Sequence, residues 1–304
     1  MARSVIVGSG HVGASVAFLF ALRELFDEVV LVDKRPARAR AEADDMMAAL
    51  PRLGSGTMVR GGGYEDCADA DLVVLCAAAP ARLGQTRNDM FLKNAAIAAD
   101  VVSQVEGVGF DGLYLVVSNP VDLVSTYLVD TLGVSSSRVV GTGTLLDSLR
   151  LEDCLRARYG SETHVRALAL GEHGEGLVVE WDATTVDGVA VPEEDRDVLR
   201  RSAIDAAYDI MKGKGSTSYG IAMATALIVD AWQRRDESPL PLSIAAGDTF
   251  GAQGLFVSVP AAFGADGVHS VDVGLSQGTE ESLRKTCQSL REVYDEAVSS
   301  LGDS

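Results

Sequence analysis

The sequence predicts an α/β fold: a doubly wound parallel sheet in the first half, and a C-terminal domain of mixed α+β structure. Two observations predict it. In the first half, short runs of Val, Leu and Ile alternate with helix-like stretches, as is typical of strands buried on both faces of a parallel sheet. From about Gly143, longer helical stretches replace this alternation. We therefore expect two closely packed domains, residues 1–142 and 143–304.

The predicted elements of the first domain follow one another as strand, helix, strand. The candidate strands are residues 4–7, 28–32, 72–76 and 114–118. The candidate helices are residues 12–25, 36–49 and 89–105, and the three glycines at 61–63 are assigned to a loop. Parallel neighbours need such crossover helices, so this order predicts an open sheet with helices on both faces.

The second domain mixes the two kinds of element. A helical stretch comes first, then a β-rich segment, a pair of helices, a second β segment with a turn, and a terminal amphipathic helix. These are residues 145–159, 178–191, 193–211 and 219–234, 240–260 with 264–267, and 280–301.

The composition restricts the class of partner. The 304 residues are 47% hydrophobic, which fits a globular protein, and carry a formal net charge of −18. Nucleic acids and anionic membranes need basic faces, so neither is expected as a partner. The apolar stretch 14–22 is too short to span a bilayer and is predicted to be a buried helix. The four cysteines are scattered, which favours reduced thiols in a cytoplasmic protein.

A glycine-rich loop, Gly8-Ser9-Gly10-His11-Val12-Gly13, follows the first predicted strand and opens the first predicted helix. In such a loop the first glycine makes a tight turn, the second lets a pyrophosphate approach the backbone, and the third lets helix and strand pack closely. The helix N-terminus, with His11 and Val12, offers amide donors to phosphates. This pattern predicts a Rossmann-type dinucleotide site.

Asp33 lies 20 residues beyond Gly13, at the end of the second predicted strand. An acid there accepts hydrogen bonds from an adenosine ribose and repels a 2′-phosphate, so the expected cofactor is NAD rather than NADP. The adjacent Lys34 and Arg35 leave some room for NADP. The alternative is a glycine turn that only packs a helix on the sheet, with Asp33 as a helix cap.

Asp147, Arg150 and His173 carry complementary chemistry. A carboxylate bonded to one imidazole nitrogen fixes the tautomer and stabilises the imidazolium, so the other nitrogen can exchange a proton with a substrate. Arginine holds a carboxylate through two parallel hydrogen bonds. Together they predict one site for proton transfer on an acid substrate, although each alone is compatible with a surface or capping role.

Five blocks, in order and at their separations, resemble the NAD-dependent lactate/malate dehydrogenase family over essentially the whole chain. They are residues 8–13 with Asp33, 80–94, 117–122, 141–150 and 171–174, and the later segments 212–220 and 255–264 agree. The resemblance implies a 2-hydroxy acid dehydrogenase that uses NAD, with a C-terminal substrate domain. It also implies a homodimer or homotetramer.

The resemblance implies a role for each matching residue. His173 is the proton donor and acceptor, Asp147 orients it, and Arg150 binds the substrate carboxylate. Arg87 polarises the substrate carbonyl. Two further residues line the site: Asn119 near the nicotinamide and the substrate oxygen, and Thr217 in the substrate pocket.

Ala81 occupies the specificity position, six residues before Arg87. Family members that act on malate carry Arg there, and those that act on lactate usually carry Gln. Alanine cannot pair with a second carboxylate, and it leaves volume for a larger apolar substituent. Lactate with pyruvate is therefore the first expectation, bulkier 2-hydroxy acids the second and malate the third. Arg82 is expected to face solvent, because neighbours on an extended segment point in opposite directions.

Two other classes of function remain open at this stage. NAD-dependent glycoside hydrolases share the nucleotide fold but rely on a metal site with Cys and His, and the sequence shows no such cluster, so no metal is expected. A catalytically silent nucleotide-binding protein would be expected to lack some of Asp147, Arg150, His173 and Arg87, yet all four are present.

Overall fold

The computed structural model describes residues 1–80 and 87–302. The first part of the chain alternates strands and helices. The strands are β1 Arg3–Val7, β2 Glu28–Val32, β3 Met58–Gly61, β4 Leu72–Leu75, β5 Leu113–Val116 and β6 Val139–Gly141. The helices are α1 His11–Leu22, α2 Pro36–Ala49, α3 Arg87–Gly107 and α4 Val121–Asp130. Short 3₁₀ turns occur at Leu50–Leu53, Tyr64–Cys67 and Ser136–Arg138.

The second part mixes helices with shorter strands. The helices are α5 Leu145–Tyr159, α6 Glu193–Lys214, α7 Tyr219–Arg234 and α8 Gln277–Gly302, with a 3₁₀ turn at Thr249–Gly251. The strands are β7 Val165–Arg166, β8 Ala169–Gly171, β9 Leu177–Val179, β10 Thr185–Val186, β11 Val189–Ala190, β12 Leu240–Ala245, β13 Phe256–Gly264 and β14 Gly267–Ser270. Among the described residues, no helix is both long and apolar enough to cross a membrane.

The first six strands form a parallel sheet in the order β3-β2-β1-β4-β5-β6. This is the strand order of the doubly wound dinucleotide-binding fold, in which the order of strand addition reverses between β1 and β4. Strands β2 and β4 are buried along their whole length, and all their residues except Glu28 at the start of β2 are apolar. The predicted fold class, a Rossmann-type sheet plus a mixed C-terminal domain, is confirmed.

The same sheet continues into the second half of the chain. Strand β12 pairs antiparallel with β6 through Ser243 and Gly141, and the order then runs β12-β13-β8-β9. The Ser243 hydroxyl donates a hydrogen bond of 2.5 Å to the buried carboxylate of Asp122 on α4. A separate small sheet has the order β11-β10-β7. The proposed domain boundary at residues 142 and 143 therefore lies within one hydrogen-bonded sheet.

Several predicted elements need correction. Strand β3 was assigned no structure and Gly61 was assigned to a loop, because only Val59 of the strand is buried and no apolar run marks it. Helix α4 was missed because every residue from Val121 to Leu128 is buried, so that no solvent-facing polar side marks this stretch as a helix. Helix α1 ends at Leu22 instead of residue 25, since Glu24 adopts a left-handed conformation.

The β segments of the second half are also finer than predicted. The segment 178–191 comprises three short strands, and 240–260 comprises β12 and the first part of β13 separated by the turn at Thr249–Gly251. The turn predicted at 264–267 joins β13 to β14, which pair antiparallel from Gly264 and Gly267 onward.

Candidate active site

The glycine-rich loop joins β1 to α1 with very little space around two of its glycines. A Cβ atom on Gly13 would lie 1.9 Å from the carbonyl oxygen of Gly8, so the first turn of α1 packs directly on the loop. Gly8 has φ +101°, and a Cβ there would lie 2.6 Å from the amide nitrogen of Ala77. A Cβ on Gly10 would meet nothing within 4 Å among the described atoms, which leaves that backbone open to a ligand. This pattern fits a pyrophosphate approaching at Gly10.

The N-terminus of α1 faces this open region with His11 exposed and Val12 half-buried. Gly10 is its N-cap, and within the described part of the chain no side chain caps the helix. The first amides of α1 are therefore left for a ligand or for water, and the helix dipole favours an anion there.

Asp33 lies beside the same loop. Its Oδ2 accepts hydrogen bonds from both the amide and the hydroxyl of Ser9, each 3.1 Å long, and its Oδ1 accepts one of 2.9 Å from the amide of Arg35. Burial raises the pKa of this carboxyl, but these hydrogen bonds outweigh burial and hold the pKa below its usual value. Asp33 is thus a fixed anion just after β2, where it could accept hydrogen bonds from the hydroxyls of a ribose.

Asp147 and His173 meet although 26 residues separate them in the chain. Asp147 lies in the first turn of α5, and His173 lies in the tight loop between β8 and β9. The distance between Asp147 Oδ2 and His173 Nδ1 is 2.7 Å. The carboxylate is buried, while 29% of the His173 side chain is exposed, so Nε2 is the nitrogen left to face a substrate.

Arg150 lies one turn further along α5 and completes the group. Its Nη1 is 3.6 Å from Oδ1 of Asp147, and only 10% of the arginine side chain is exposed. One carboxylate therefore holds the imidazole through one oxygen and the guanidinium through the other. Such a group can present a proton donor and a carboxylate-binding fork side by side.

The electrostatics of the group favour a protonated imidazole. The charge of Asp147 raises the pKa of His173 above its usual value, and the hydrogen bond between them adds to that effect. Burial and the charge of Arg150 lower the pKa, whereas the buried carboxylate of Asp122 raises it further. The net direction is upward, so His173 can carry a proton near neutral pH.

Two residues that hold this site together were missed by the sequence analysis. Arg200 on α6 donates to the carbonyl oxygens of Leu177 at 2.8 Å and Glu175 at 2.9 Å, and so fixes the loop that carries His173. The buried Asn94 on α3 accepts a hydrogen bond from the amide of Ala79 at 2.8 Å and donates one of 2.5 Å to the carbonyl of Asn119. A polar residue on the apolar face of a predicted helix was the only sequence signal for Asn94.

Two further predicted residues, Asn119 and Thr217, lie in segments that connect the main elements. Asn119 is exposed in the segment between β5 and α4, and its peptide bond to Pro120 is cis. Thr217 is half-buried between α6 and α7, shortly before Gly220. A Cβ on Gly220 would lie 3.0 Å from Leu146 of α5, so this segment approaches the helix that carries Arg150.

Two predicted residues cannot be placed relative to the site. Arg87 is the first residue of α3, and its role, which depends on its side chain, stays a prediction. Ala81 lies outside the described residues. Within the described part of the chain, no group of three or more His, Cys, Asp or Glu side chains is arranged to hold a metal ion.

A dinucleotide loop at the end of a doubly wound sheet, together with a carboxylate-bound histidine and a buried arginine, defines a nucleotide-dependent oxidoreductase. Two family models identify which one. The NAD-binding domain of lactate/malate dehydrogenase matches residues 2–141, and the alpha/beta C-terminal domain of the same family matches residues 144–301. The chain belongs to the lactate/malate dehydrogenase family, and it is an NAD-dependent oxidoreductase that acts on 2-hydroxy acids.

Relatives agree over the full length. An L-lactate dehydrogenase from Lactococcus lactis subsp. cremoris is 34% identical over 303 residues, covering 96% of each chain. Another from Streptococcus uberis is 35% identical over 306 residues, covering 96% of this chain and 93% of that protein. The predicted family, cofactor and enzyme class are thereby confirmed.

Solved structures show the same fold. The ligand-bound minor L-lactate dehydrogenase of Enterococcus mundtii superposes with a TM-score of 0.90 at 33% identity, covering 97% of this chain and 98% of that one. The malate dehydrogenase of Cryptosporidium parvum gives a TM-score of 0.91 at 23% identity, covering 98% of this chain and 99% of that one, and it supports the fold alone.

Proposed function

We propose that this protein is an L-lactate dehydrogenase, which reversibly reduces pyruvate with NADH and a proton to give L-lactate and NAD. The observation that carries the proposal is the shared carboxylate of Asp147, 2.7 Å from His173 and 3.6 Å from Arg150. The names of the full-length relatives support the substrate, and the L configuration is taken from them alone.

The chain's own groups account for the acid–base part of the reaction. In reduction, protonated His173 gives its Nε2 proton to the carbonyl oxygen of the substrate, and in oxidation the neutral imidazole takes it back. Asp147 holds the ring through Nδ1 and stabilises the imidazolium. Arg150 binds the substrate carboxylate through its fork and fixes the orientation of the carbonyl.

The coenzyme would be held by the loop at Gly8, Gly10 and Gly13, by the amides at the start of α1, and by Asp33. When bound, NADH supplies the hydride for the C2 carbon of the substrate. Three further roles belong to the same proposal. Arg87 polarises the carbonyl, Asn119 lies near the nicotinamide and the substrate oxygen, and Thr217 lines the substrate pocket.

The choice of substrate depends in the proposal on Ala81. Its methyl group cannot bind a second carboxylate, which argues against malate and oxaloacetate. The same small side chain favours a second candidate function, the reduction of 2-oxo acids with larger apolar substituents than that of pyruvate. We place pyruvate first because the full-length relatives are L-lactate dehydrogenases.

We further propose a homodimer or homotetramer in the cytoplasm. The assembly is proposed from the family resemblance. The location is supported by free cysteines at all four positions, two of them buried, which suits a reducing compartment.

A substrate panel tests the proposed function. NADH oxidation is followed with pyruvate, 2-oxobutyrate, 4-methyl-2-oxopentanoate, phenylpyruvate and oxaloacetate. We expect the highest kcat/KM for pyruvate or 2-oxobutyrate, and the lowest for oxaloacetate, because Ala81 provides no positive charge for its second carboxylate. Chiral analysis of the product should give the L-acid.

An A81R variant is the matched comparison for that panel. It adds the missing guanidinium, so the ratio of kcat/KM for oxaloacetate over pyruvate should rise by roughly 10²-fold, as for a new charge-assisted pair. A wild-type enzyme that prefers oxaloacetate by orders of magnitude would show the interpretation of Ala81 to be wrong. No turnover with any of the five acids would contradict the proposed function.

The raised pKa of His173 predicts opposite pH profiles for the two directions. Reduction needs the imidazolium, so kcat/KM for pyruvate should stay level through the usual histidine value of about 6.5 and fall only at higher pH. Oxidation of lactate needs the neutral ring and should rise over that same higher range. The same sign holds for stability: the contribution of the imidazolium is complete below the unfolded pKa and is lost as pH rises through the raised folded pKa.

A D147N variant checks the cause of that shift. Since the charge of Asp147 is the largest contribution, the fall in kcat/KM for pyruvate should move to lower pH. The matched control is D153N on the same helix, where 79% of the carboxylate side chain is exposed, and its profile should follow the wild type. Identical profiles for D147N and wild type would exclude this explanation.

A further inference from the structure

We propose that Ser9 is a positioning residue that sets the preference for NAD over NADP, by holding the carboxylate of Asp33 in one orientation. Ser9 is the residue between the first two glycines of the loop, and it is completely buried. The inference rests on the proposed coenzyme site at Asp33 and names the group that keeps this site selective.

The Ser9 hydroxyl is the one side-chain donor among the three described hydrogen bonds to this carboxylate. It lies 3.1 Å from Oδ2, the oxygen that also accepts the Ser9 amide, while Oδ1 accepts the amide of Arg35. Without the hydroxyl, each oxygen would be held by a single backbone amide, and the carboxylate could reorient more readily. The hydroxyl adds a second hydrogen bond to Oδ2 and so strengthens the attachment of the carboxylate to the loop.

Selectivity depends on that orientation because the surroundings of Asp33 are positively charged. Lys34 is exposed, and Arg35 places its Nε 3.9 Å from Oδ1 with 63% of its side chain exposed. Arg38, in the first turn of α2, is near enough to act on the charge of Asp33. With the carboxylate fixed, a 2′-phosphate meets an anion. With the carboxylate displaced, the 2′-phosphate would meet the positive charges of these side chains, which bind phosphate well.

The alternative is that the Ser9 hydroxyl only stabilises the folded loop and has no part in coenzyme selectivity. In that case loss of the hydroxyl would weaken the binding of NADH and NADPH equally, because both coenzymes share the pyrophosphate. An effect through Asp33 would instead change the affinities for NADH and NADPH by different factors. The ratio of the two affinities therefore separates the two roles.

The test measures binding of NADH and NADPH to the full-length protein by fluorescence titration, without substrate. For S9A we expect the Kd of NADH to rise roughly three- to tenfold, as for loss of one hydrogen bond to a charged group, and the Kd of NADPH to stay level or fall. S9T keeps the hydroxyl and should keep the wild-type ratio of the two Kd values. The matched control is S15A on α1, whose hydroxyl donates only to the carbonyl of His11 at 2.7 Å, and it should also keep the ratio.

A double-mutant cycle with Asp33 completes the experiment. In a D33A background, S9A should leave the ratio unchanged, because the group it positions is absent. Equal weakening of NADH and NADPH by S9A, or the same change of ratio in the D33A background, would overturn the inference while leaving the proposed function intact. If wild-type protein bound neither coenzyme, the coenzyme site itself would be wrong and the inference would fall with it.

Discussion

An H173N variant is expected to lose roughly 10²- to 10⁴-fold in kcat for pyruvate reduction, the usual contribution of a positioned general acid. Asparagine can still hydrogen-bond to the buried carboxylate of Asp147, so the site should keep its shape. It has no proton to give at Nε2, however, and the charge developing on the carbonyl oxygen loses its donor. The loss should therefore appear in kcat, with little change in the KM of pyruvate.

Single-turnover kinetics, with NADH binding measured separately by fluorescence, would check this expectation. NADH affinity should be unchanged, because the glycine-rich loop and Asp33 are formed by β1, α1 and β2, and not by the loop that carries His173. The matched control is H164N, an exposed histidine outside the site, which should behave as wild type. An H173N enzyme with near wild-type kcat would refute the proposed acid–base role.

An R150K variant is expected to raise the KM of pyruvate by roughly 10²- to 10³-fold, the range for disrupting a buried charge-assisted pair. Lysine keeps the positive charge beside Asp147 but offers a point charge in place of two parallel donors. Arg150 is only 9% exposed, so little water is present to compensate for the lost hydrogen bond. Misorientation of the carbonyl should also lower kcat, though by less than in H173N.

A comparison of two substrates distinguishes carboxylate binding from a general disturbance of the site. Methyl pyruvate has the same carbonyl but no carboxylate, so R150K should reduce its already low turnover far less than that of pyruvate. The control is R156K on the same helix, because the Arg156 side chain is 38% exposed and pairs with Glu152. This variant should leave the turnover of both substrates unchanged. Equal losses on both substrates, with an unchanged melting temperature, would show that Arg150 does not bind the carboxylate.

The nucleotide half of the site could be predicted from sequence because its parts are local. Gly8, Gly10 and Gly13 belong to one turn. The position of Asp33 follows from the length of a single strand–helix–strand unit. The structure adds the physical reason for each glycine, above all the contact that a Cβ on Gly13 would make with Gly8.

For the other half, the complementary chemistry of Asp147, Arg150 and His173 predicted one site, and the family resemblance gave each residue its role. No local pattern indicates that Asp147 and His173 lie 2.7 Å apart, since one is on α5 and the other follows β8. Arg200 and Asn94 were missed because they act on backbone carbonyls and amides, which leave no trace in the spacing of side chains. The specificity position, Ala81, depends on side-chain contacts that only substrate measurements will test.

The continuity of the sheet through β6 and β12 has a consequence for how the enzyme can move. Strand β6, which leads to Asp147 and Arg150 on α5, is bonded on one side to the coenzyme-binding sheet and on the other to the C-terminal strands. A hinge at residue 142 would have to break that ladder and separate Asp122 from Ser243. We therefore expect the hydrogen-bonded sheet to resist opening of the two halves of the chain about residue 142.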